Sequence, residues 1–371
     1  MIMAIDIKPI VKNFKIDGEF IESAPYGSGH INDTFCAYYQ TLQGKVRYIH
    51  QRINHNIFKK PEELMENIER VTTHLRGKIE AAGGNPLRET LQIVPALDGK
   101  SFYRTDDGNY WRTYLFIEGA KTYDVVPNLD VVYEASKSFG RFQKQIADVP
   151  GKRLHETIPN FHDTRSRFKA FQEVLSKDTK NRAASVNAEV DFVLKREQDA
   201  SRLVDMLERG TIPERITHND TKLNNVMIDD VTGKGICVID LDTIMPGLPM
   251  YDFGDSVRIG ASTAPEDEQD LSKVSFSIDM FERLTHGYLD AAREFLIPAE
   301  VGELAFSAKL LTFECGMRFL TDHLNGDVYF KIKRENHNLD RARTQFKMVS
   351  VMESQMDKML AVVAKYGRKE G

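Results

Sequence analysis

The spacing of apolar residues along the chain predicts a strand-rich first third and a mainly helical remainder. Phe14 to Glu22, Thr34 to Tyr39 and Val46 to Ile53 are rich in aromatic and β-branched residues, with glycine-containing breaks between them, as in a small antiparallel sheet. One helix interrupts this pattern. Pro61-Glu62-Glu63 supplies a proline start and an acidic first turn, Leu64, Ile68, Val71, Leu75 and Ile79 then recur at spacings of three and four, and Gly83-Gly84 ends the run. The runs Leu91 to Leu97 and Tyr110 to Ile117 complete the sheet before the pattern changes at Glu118-Gly119. From Asp130 to about residue 209, and again from about residue 270 onward, the spacing is predominantly helical. The fold class is therefore α+β, with a small N-terminal antiparallel sheet lobe over residues 1–117 and a larger helical lobe over residues 118–371.

Between the helical stretches lies the chemistry. Val226-Met227-Ile228, a turn at Asp229-Asp230-Val231-Thr232-Gly233, and Ile236-Cys237-Val238-Ile239 read as a short hairpin that brings Asn225 and Asp240 to the same end. Just before it stands His218-Asn219-Asp220-Thr221-Lys222-Leu223-Asn224-Asn225, with Asp220 five residues ahead of Asn225 and Asp240 fifteen residues further on. A phosphoryl-transfer site needs such a set: a carboxylate to accept the proton of an attacking hydroxyl, and an amide oxygen and a second carboxylate as hard ligands for Mg²⁺ beside nucleotide phosphates. No Walker-type phosphate loop is present, which argues against a P-loop kinase. Upstream, Tyr26-Gly27-Ser28-Gly29-His30 lies between two predicted strands, where its glycines let backbone approach phosphates closely; the plain alternative is an ordinary hairpin turn.

Composition narrows the partners. A net charge of −5 over 371 residues gives no reason to expect nucleic acid or an anionic membrane surface. Cys36, Cys237 and Cys315 are far apart and odd in number, so neither a disulfide framework nor a zinc cluster is indicated. Asp6 and Lys8 break the apolar character of Met1 to Ile10, and no later run approaches a membrane span, so a cytoplasmic location is expected. The oligomeric state stays open, a monomer included.

The segments HNDTKLNN (218–225), IDLD (239–242) and YDFGDS (251–256) resemble the catalytic loop, metal segment and following helix start of the aminoglycoside phosphotransferase and choline kinase group, within the bilobal protein-kinase-like fold. YGSGHINDTF (26–35), QRIN (51–54) and ECGMRFLTDHLNGDVYFKI (314–332) are similar to the N-acetylhexosamine 1-kinases of that group, and the resemblance spans nearly the whole chain. It implies ATP- and Mg²⁺-dependent phosphorylation of the anomeric hydroxyl of N-acetylglucosamine or N-acetylgalactosamine, with Asp220 as base and Asn225 and Asp240 on the metal. It implies further that Gly27, Ser28 and Gly29 line the phosphates, that Arg52 takes the place of the phosphate-pairing lysine with Glu66 or Glu69 to orient it, and that Phe116, Ile117 and Glu118 join the lobes and read adenine through backbone. Lys222 either neutralises the transferring phosphoryl or is a solvated loop lysine. His30, Asp33, Arg318 and Tyr329 are implied to hold the sugar beside Asp220. Asp252 of Asp252-Phe253-Gly254 lies too far from Asp220 to be the metal carboxylate and is implied to brace the catalytic loop.

Two other readings share these residues. An aminoglycoside or choline kinase would need an acidic or aromatic acceptor pocket, for which the run Glu266-Asp267-Glu268 is a candidate, although acidic residues also favour a solvated helix start. A catalytically silent, pseudokinase-like binding module would not need the complete set of Asp220, Asn225 and Asp240.

Overall fold

The computed structural model describes residues 5–27, 29 and 31–368; Ser28 and His30 lie outside the described residues. Strands β1 (Glu19–Pro25), β2 (Asp33–Thr41), β3 (Gly44–Ile53), β4 (Ile93–Val94), β5 (Tyr103–Arg104) and β6 (Tyr110–Leu115) form an antiparallel sheet in the order β1-β2-β3-β6-β4, with β5 on β6. Alternation along each strand gives the sheet two unlike faces. Phe35, Ala37, Tyr39 and Trp111 bury the outer face together with Ile7, Val11 and Phe14. Ile53, Tyr114 and partly buried Ile49 face inward, toward the rest of the molecule.

The first predicted strand starts later than the pattern suggests. Phe14 makes only an isolated bridge to Ala96, next to a short helix α1 (Lys8–Val11), and β1 begins at Glu19. Gly18 causes the break: its φ is +114°, and a Cβ there would meet the Gln40 carbonyl at 2.7 Å. Of Leu91 to Leu97 only Ile93 and Val94 pair with β6. Pro95 follows them and has no N–H to donate.

Helix α2 (Pro61–Ala81) crosses the inner face, and the short α3 (Pro86–Glu89) follows. After β6, strand β7 (Ala120–Lys121) leaves the sheet and pairs with β9 (Val226–Asp229), which forms the expected hairpin with β10 (Gly235–Val238). Strand β8 (Arg215–Thr217) pairs with β11 (Met245–Gly247). The helices of the larger part are α4 (Leu129–Ile146), α5 (Thr164–Lys177), α6 (Asn187–Leu194), α7 (Glu197–Glu208), α8 (Pro249–Gly260), α9 (Ile278–Ala292), α10 (Pro298–Gly302), α11 (Leu304–Asn325), α12 (His337–Ser354) and α13 (Met356–Gly367). Helix α11 is buried along most of its length and ends at Gly326, whose φ of +97° suits a left-handed cap. No helix among the described residues is long and apolar enough to cross a membrane.

One core matters most for function. Leu64, Met65 and Ile68 of α2 pack in a single cluster with Phe139 and Phe142 of α4, Val226 and Ile228 of β9, Val238 of β10, and Leu241 and Ile244 beyond it. The hairpin that carries the chemistry is therefore held by side chains from both parts of the molecule, each fully buried aliphatic contributing about 1.5–3 kcal/mol.

Candidate active site

Residues 218–225 connect β8 to β9, and their backbone is fixed from several sides. Asn219 and Asp240 both adopt left-handed backbone, with φ of +66° and +60°, a conformation that persists in non-glycine residues only where the surroundings enforce it. Asp252, fully buried on α8, accepts hydrogen bonds from the backbone N–H groups of His218 (2.9 Å) and Asn219 (2.7 Å). The His218 Nε2 lies 2.8 Å from the Ile239 carbonyl, to which it donates, while its Nδ1 accepts from the Asp220 N–H at 3.2 Å. Thr243 donates to the His218 carbonyl at 2.7 Å, and Thr221 N–H donates to Asp255 at 3.1 Å. His162 touches a carbonyl (Asn219, 3.1 Å) with one ring nitrogen and the Glu314 carboxylate (2.8 Å) with the other, so both nitrogens donate. Burial works against that charge, but Glu314 keeps the His162 pKa above its ordinary value.

This frame aims three side chains at one place. The Asn225 amide nitrogen donates to the Asp220 carbonyl at 2.8 Å, which leaves its amide oxygen to bind a cation. The Ile239 N–H donates to the Asn225 carbonyl at 2.9 Å, and Val226 pairs with Val238, so the hairpin sets Asp240 beside Asn225 as its spacing predicts. Asp240 opens to the cleft, yet crowding by protein, by Asp242 and by Asp220 pushes its carboxyl up to about 6. Carboxylates crowded in this way favour a cation between them. One amide oxygen and one carboxylate suit Mg²⁺, which keeps few protein ligands and completes its shell with phosphate and water. Lys222 lies 2.7 Å from Asp220 and is held charged by Asp220 and Asp255 against the cost of burial.

Of the residues expected at the nucleotide, Gly27 has a φ of +81° in the turn between β1 and β2, and Gly29 is exposed. Phe116 is flanked by the Tyr26 ring (5.6 Å) and the Arg47 guanidinium (3.6 Å), and Arg47 also pairs with the Glu118 carboxylate. Arg88 donates to the Glu118 and Gly119 carbonyls and to Asp229, tying the connecting segment to the hairpin. Arg52 does not reach the cleft. It pairs with Asp33 at 2.6 Å, and cross-strand register places Asp33, Arg52 and Trp111 together on the outer face. Strand parity decides this, since Gln51 and not Arg52 shares the inner face with Arg112. The same pairing engages the Asp33 carboxylate, expected on the sugar, and neither Glu66 nor Glu69 is the partner of Arg52; Glu66 pairs with His155 at 3.0 Å.

Residues 24–287, more than half of the chain, match the model of the phosphotransferase enzyme family (APH). The chain belongs to this family. Its fold is shared with a microcompartment-associated aminopropanol kinase (TM-score 0.58, 13% identity, 95% of this chain and 97% of that one). It is shared equally with an amicoumacin kinase solved with AMP-PNP and Ca²⁺ (TM-score 0.57, 13% identity, 95% and 94%). A choline kinase from Cryptosporidium parvum Iowa II is a third (TM-score 0.56, 14% identity, 97% and 98%). The chain is thus a member of the phosphotransferase enzyme family with the protein-kinase-like APH fold.

Arg318 of α11, expected on the acceptor, lies between the rings of Phe161 (5.5 Å) and Phe330 (5.6 Å). Phe161 adjoins His162, which holds the catalytic loop. Among the described residues Arg167 donates to the Phe161 carbonyl alone, and burial, with the nearness of Arg318, lowers its pKa. Among the described residues no carboxylate forms an ion pair with either arginine, because Glu314 is committed to His162 and Thr164. Tyr329 is exposed, and its backbone is held by Asp322. The acidic run lies elsewhere in the network: Glu266 pairs with Arg258 and Arg341, and Asp267 with His337.

Sequence reasoning missed Arg112, Asp242, Arg167 and the His162–Glu314 pair. Arg112 carries a signal, a charge inside the apolar run Tyr110 to Ile117, and such a charge stays buried only when partnered. The others are brought together across more than a hundred residues and leave no local trace.

Proposed function

We propose that the protein transfers the γ-phosphoryl group of ATP to the anomeric hydroxyl of an N-acetylhexosamine, with Mg²⁺, giving the sugar 1-phosphate and ADP. The observation that carries the choice of acceptor is the neighbouring pair Arg167 and Arg318, two guanidinium groups in no ion pair among the described residues, with Arg318 flanked by Phe161 and Phe330. Such a cationic pair repels the ammonium group of an amino alcohol or aminoglycoside, while its donors match sugar hydroxyl and acetamide oxygens and the rings beside it suit an apolar sugar face.

Asp220 accepts the proton of the C1 hydroxyl, the oxygen attacks the γ-phosphorus in line, and the bond from that phosphorus to the ADP oxygen breaks. Lys222, 2.7 Å from Asp220, follows the charge from carboxylate to phosphoryl oxygens. Asn225 and Asp240 would hold the Mg²⁺, which neutralises charge on the β- and γ-phosphates. The Phe116 carbonyl and the Glu118 N–H make no hydrogen bond among the described residues and suit the adenine edge. Gly27, Ser28 and Gly29 are assigned to the phosphates.

The test incubates the protein with ATP, Mg²⁺ and a panel of free sugars, choline, ethanolamine and aminopropanol, and reads products by phosphorus NMR. A C1 phosphate on N-acetylglucosamine or N-acetylgalactosamine is expected. Turnover of the amines alone, or a C6 phosphate, refutes the proposal. Asp220→Asn should lower kcat by about 10²–10⁴, the range typical of a lost general base, while ATP affinity stays near wild type by calorimetry.

A further inference from the structure

With Arg52 on the outer face, the sheet's cation toward the chemistry must come from elsewhere, and Arg112 supplies it. It stands on the inner face of β6 and is 1% exposed, a burial that a guanidinium tolerates only with partners on hand. Its Nε donates to the Gln51 side chain at 3.0 Å, and Gln51 donates in turn to Thr34 of β2 at 3.0 Å. Its Nη1 pairs with the buried carboxylate of Asp242. The other oxygen of Asp242 receives the Asn32 amide at 2.6 Å, and the Asn32 oxygen receives the Asn54 N–H at 2.9 Å. A continuous polar chain thus joins β2, β3, β6 and the turn that opens β2 to the residues just past Asp240.

The partner is as telling as the position. Asp242 lies two residues beyond Asp240, and a free carboxylate there would compete for the same divalent cation. Arg112 neutralises it, and Asn32 occupies its second oxygen. We propose that Arg112 is a positioning residue of the nucleotide site: through Asp242 it locks the Asp240 turn to the sheet beneath the phosphate turn and keeps Asp242 out of the metal shell. This rests on the assignment of Asp240 to Mg²⁺, and it replaces a strand cation paired with a helix carboxylate by a strand cation paired with the metal segment itself.

The test reads metal binding directly. Arg112→Met/Asp242→Asn removes both charges together, so no unpaired ion is left buried, and circular dichroism and thermal melting check its fold. Mn²⁺ binding in the presence of ADP, followed by electron paramagnetic resonance, should weaken about 10–100-fold, as when a group supporting a metal ligand is lost. The KM for ATP should rise while the KM for the acceptor stays constant. Wild-type Mn²⁺·ADP affinity in the folded double variant overturns the proposal. Should that variant fail to fold, Asn32→Ala, which deletes both hydrogen bonds of a half-buried side chain, must weaken Mn²⁺·ADP binding in a protein that circular dichroism shows folded, and unchanged affinity overturns the proposal equally. Because the binding assay contains no acceptor, its result stands apart from whether the acceptor is a sugar.

Discussion

Asp252 shows how a residue that never meets the reactants can govern them. Its carboxylate receives two consecutive backbone N–H groups of the catalytic loop and the Gln143 amide at 2.5 Å, while the Thr221 hydroxyl donates to its carbonyl. Asp252→Asn turns an amide N–H₂ toward donors and should cost about 1–3 kcal/mol in a denaturant melt, the desolvation penalty of an unsatisfied buried group, with a fall in kcat. An unchanged melt would mean that the loop is held by its other contacts. At the proposed acceptor site, Arg167→Met should raise the KM for the proposed N-acetylhexosamine while leaving the KM for ATP constant, and an unchanged KM for that sugar removes Arg167 from the site. These two residues also mark what a sequence can disclose. Asp220, Asn225 and Asp240 are legible because a loop and a hairpin of two four-residue strands place them locally, whereas the faces of Arg52 and Asp33 are not, because one position of strand parity decides which face a side chain takes. Arg167 meets Arg318 only after α5 packs on α11, and no local pattern encodes that.

Between elements, two contacts have consequences that can be measured. His162, just before α5, meets Glu314 in the middle of α11, both fully enclosed. The folded His162 pKa is raised above 6.5, so its share of stability is complete below that value and is lost as pH rises through the folded pKa. The folded Glu314 pKa is depressed below 4.5, so its share is complete above that value and is lost as pH falls through the folded pKa. The pair is therefore strongest between these two ordinary values, and on going from pH 6 to pH 9 the wild-type melting temperature should fall more than that of His162→Gln/Glu314→Gln. Equal falls would show that the pair is not charged. Helices α4 and α9 meet through glycine. A Cβ on Gly287 would sit 2.2 Å from the Tyr133 carbonyl oxygen, which is backbone and cannot rotate away, whereas at exposed Gly77 of α2 nothing lies within 4 Å. Gly287→Ala should destabilise by about 1–3 kcal/mol through overpacking. Gly77→Ala should stabilise by about 0.5–1 kcal/mol through helix propensity alone. The helices themselves were legible from their three-and-four spacing; the closeness of this crossing was not, since glycine at a contact looks like glycine at a turn.

At the scale of the whole molecule, an assignment of residues 1–117 and 118–371 to two lobes hinged at Phe116 to Glu118 would let α2 travel with the sheet as the cleft closes. The packing argues for a different division of motion. Asn67 of α2 donates to the carbonyls of His155 (2.8 Å) and Ile244 (2.9 Å), and Arg70 donates to those of Pro150 (3.0 Å) and Lys152 (2.6 Å). Near its C-terminal end, His74 contacts Asp148 at 3.1 Å and Lys78 pairs with the same carboxylate. With Leu64, Met65 and Ile68 sharing a core with α4 and the hairpin, α2 is anchored to the larger part along its length. By contrast β1 is an edge strand with six of its seven residues exposed. Segments with few buried contacts open at low free energy and supply the moving parts of a binding site. Nucleotide binding should therefore slow amide hydrogen exchange in residues 19–53 and at 116–119, and leave residues 61–81 as protected with ADP and Mg²⁺ as without. Exchange that changes in α2 in step with β1 and β2 would instead show the sheet and helix moving as one body, and would mean that the shared core yields when the cleft closes.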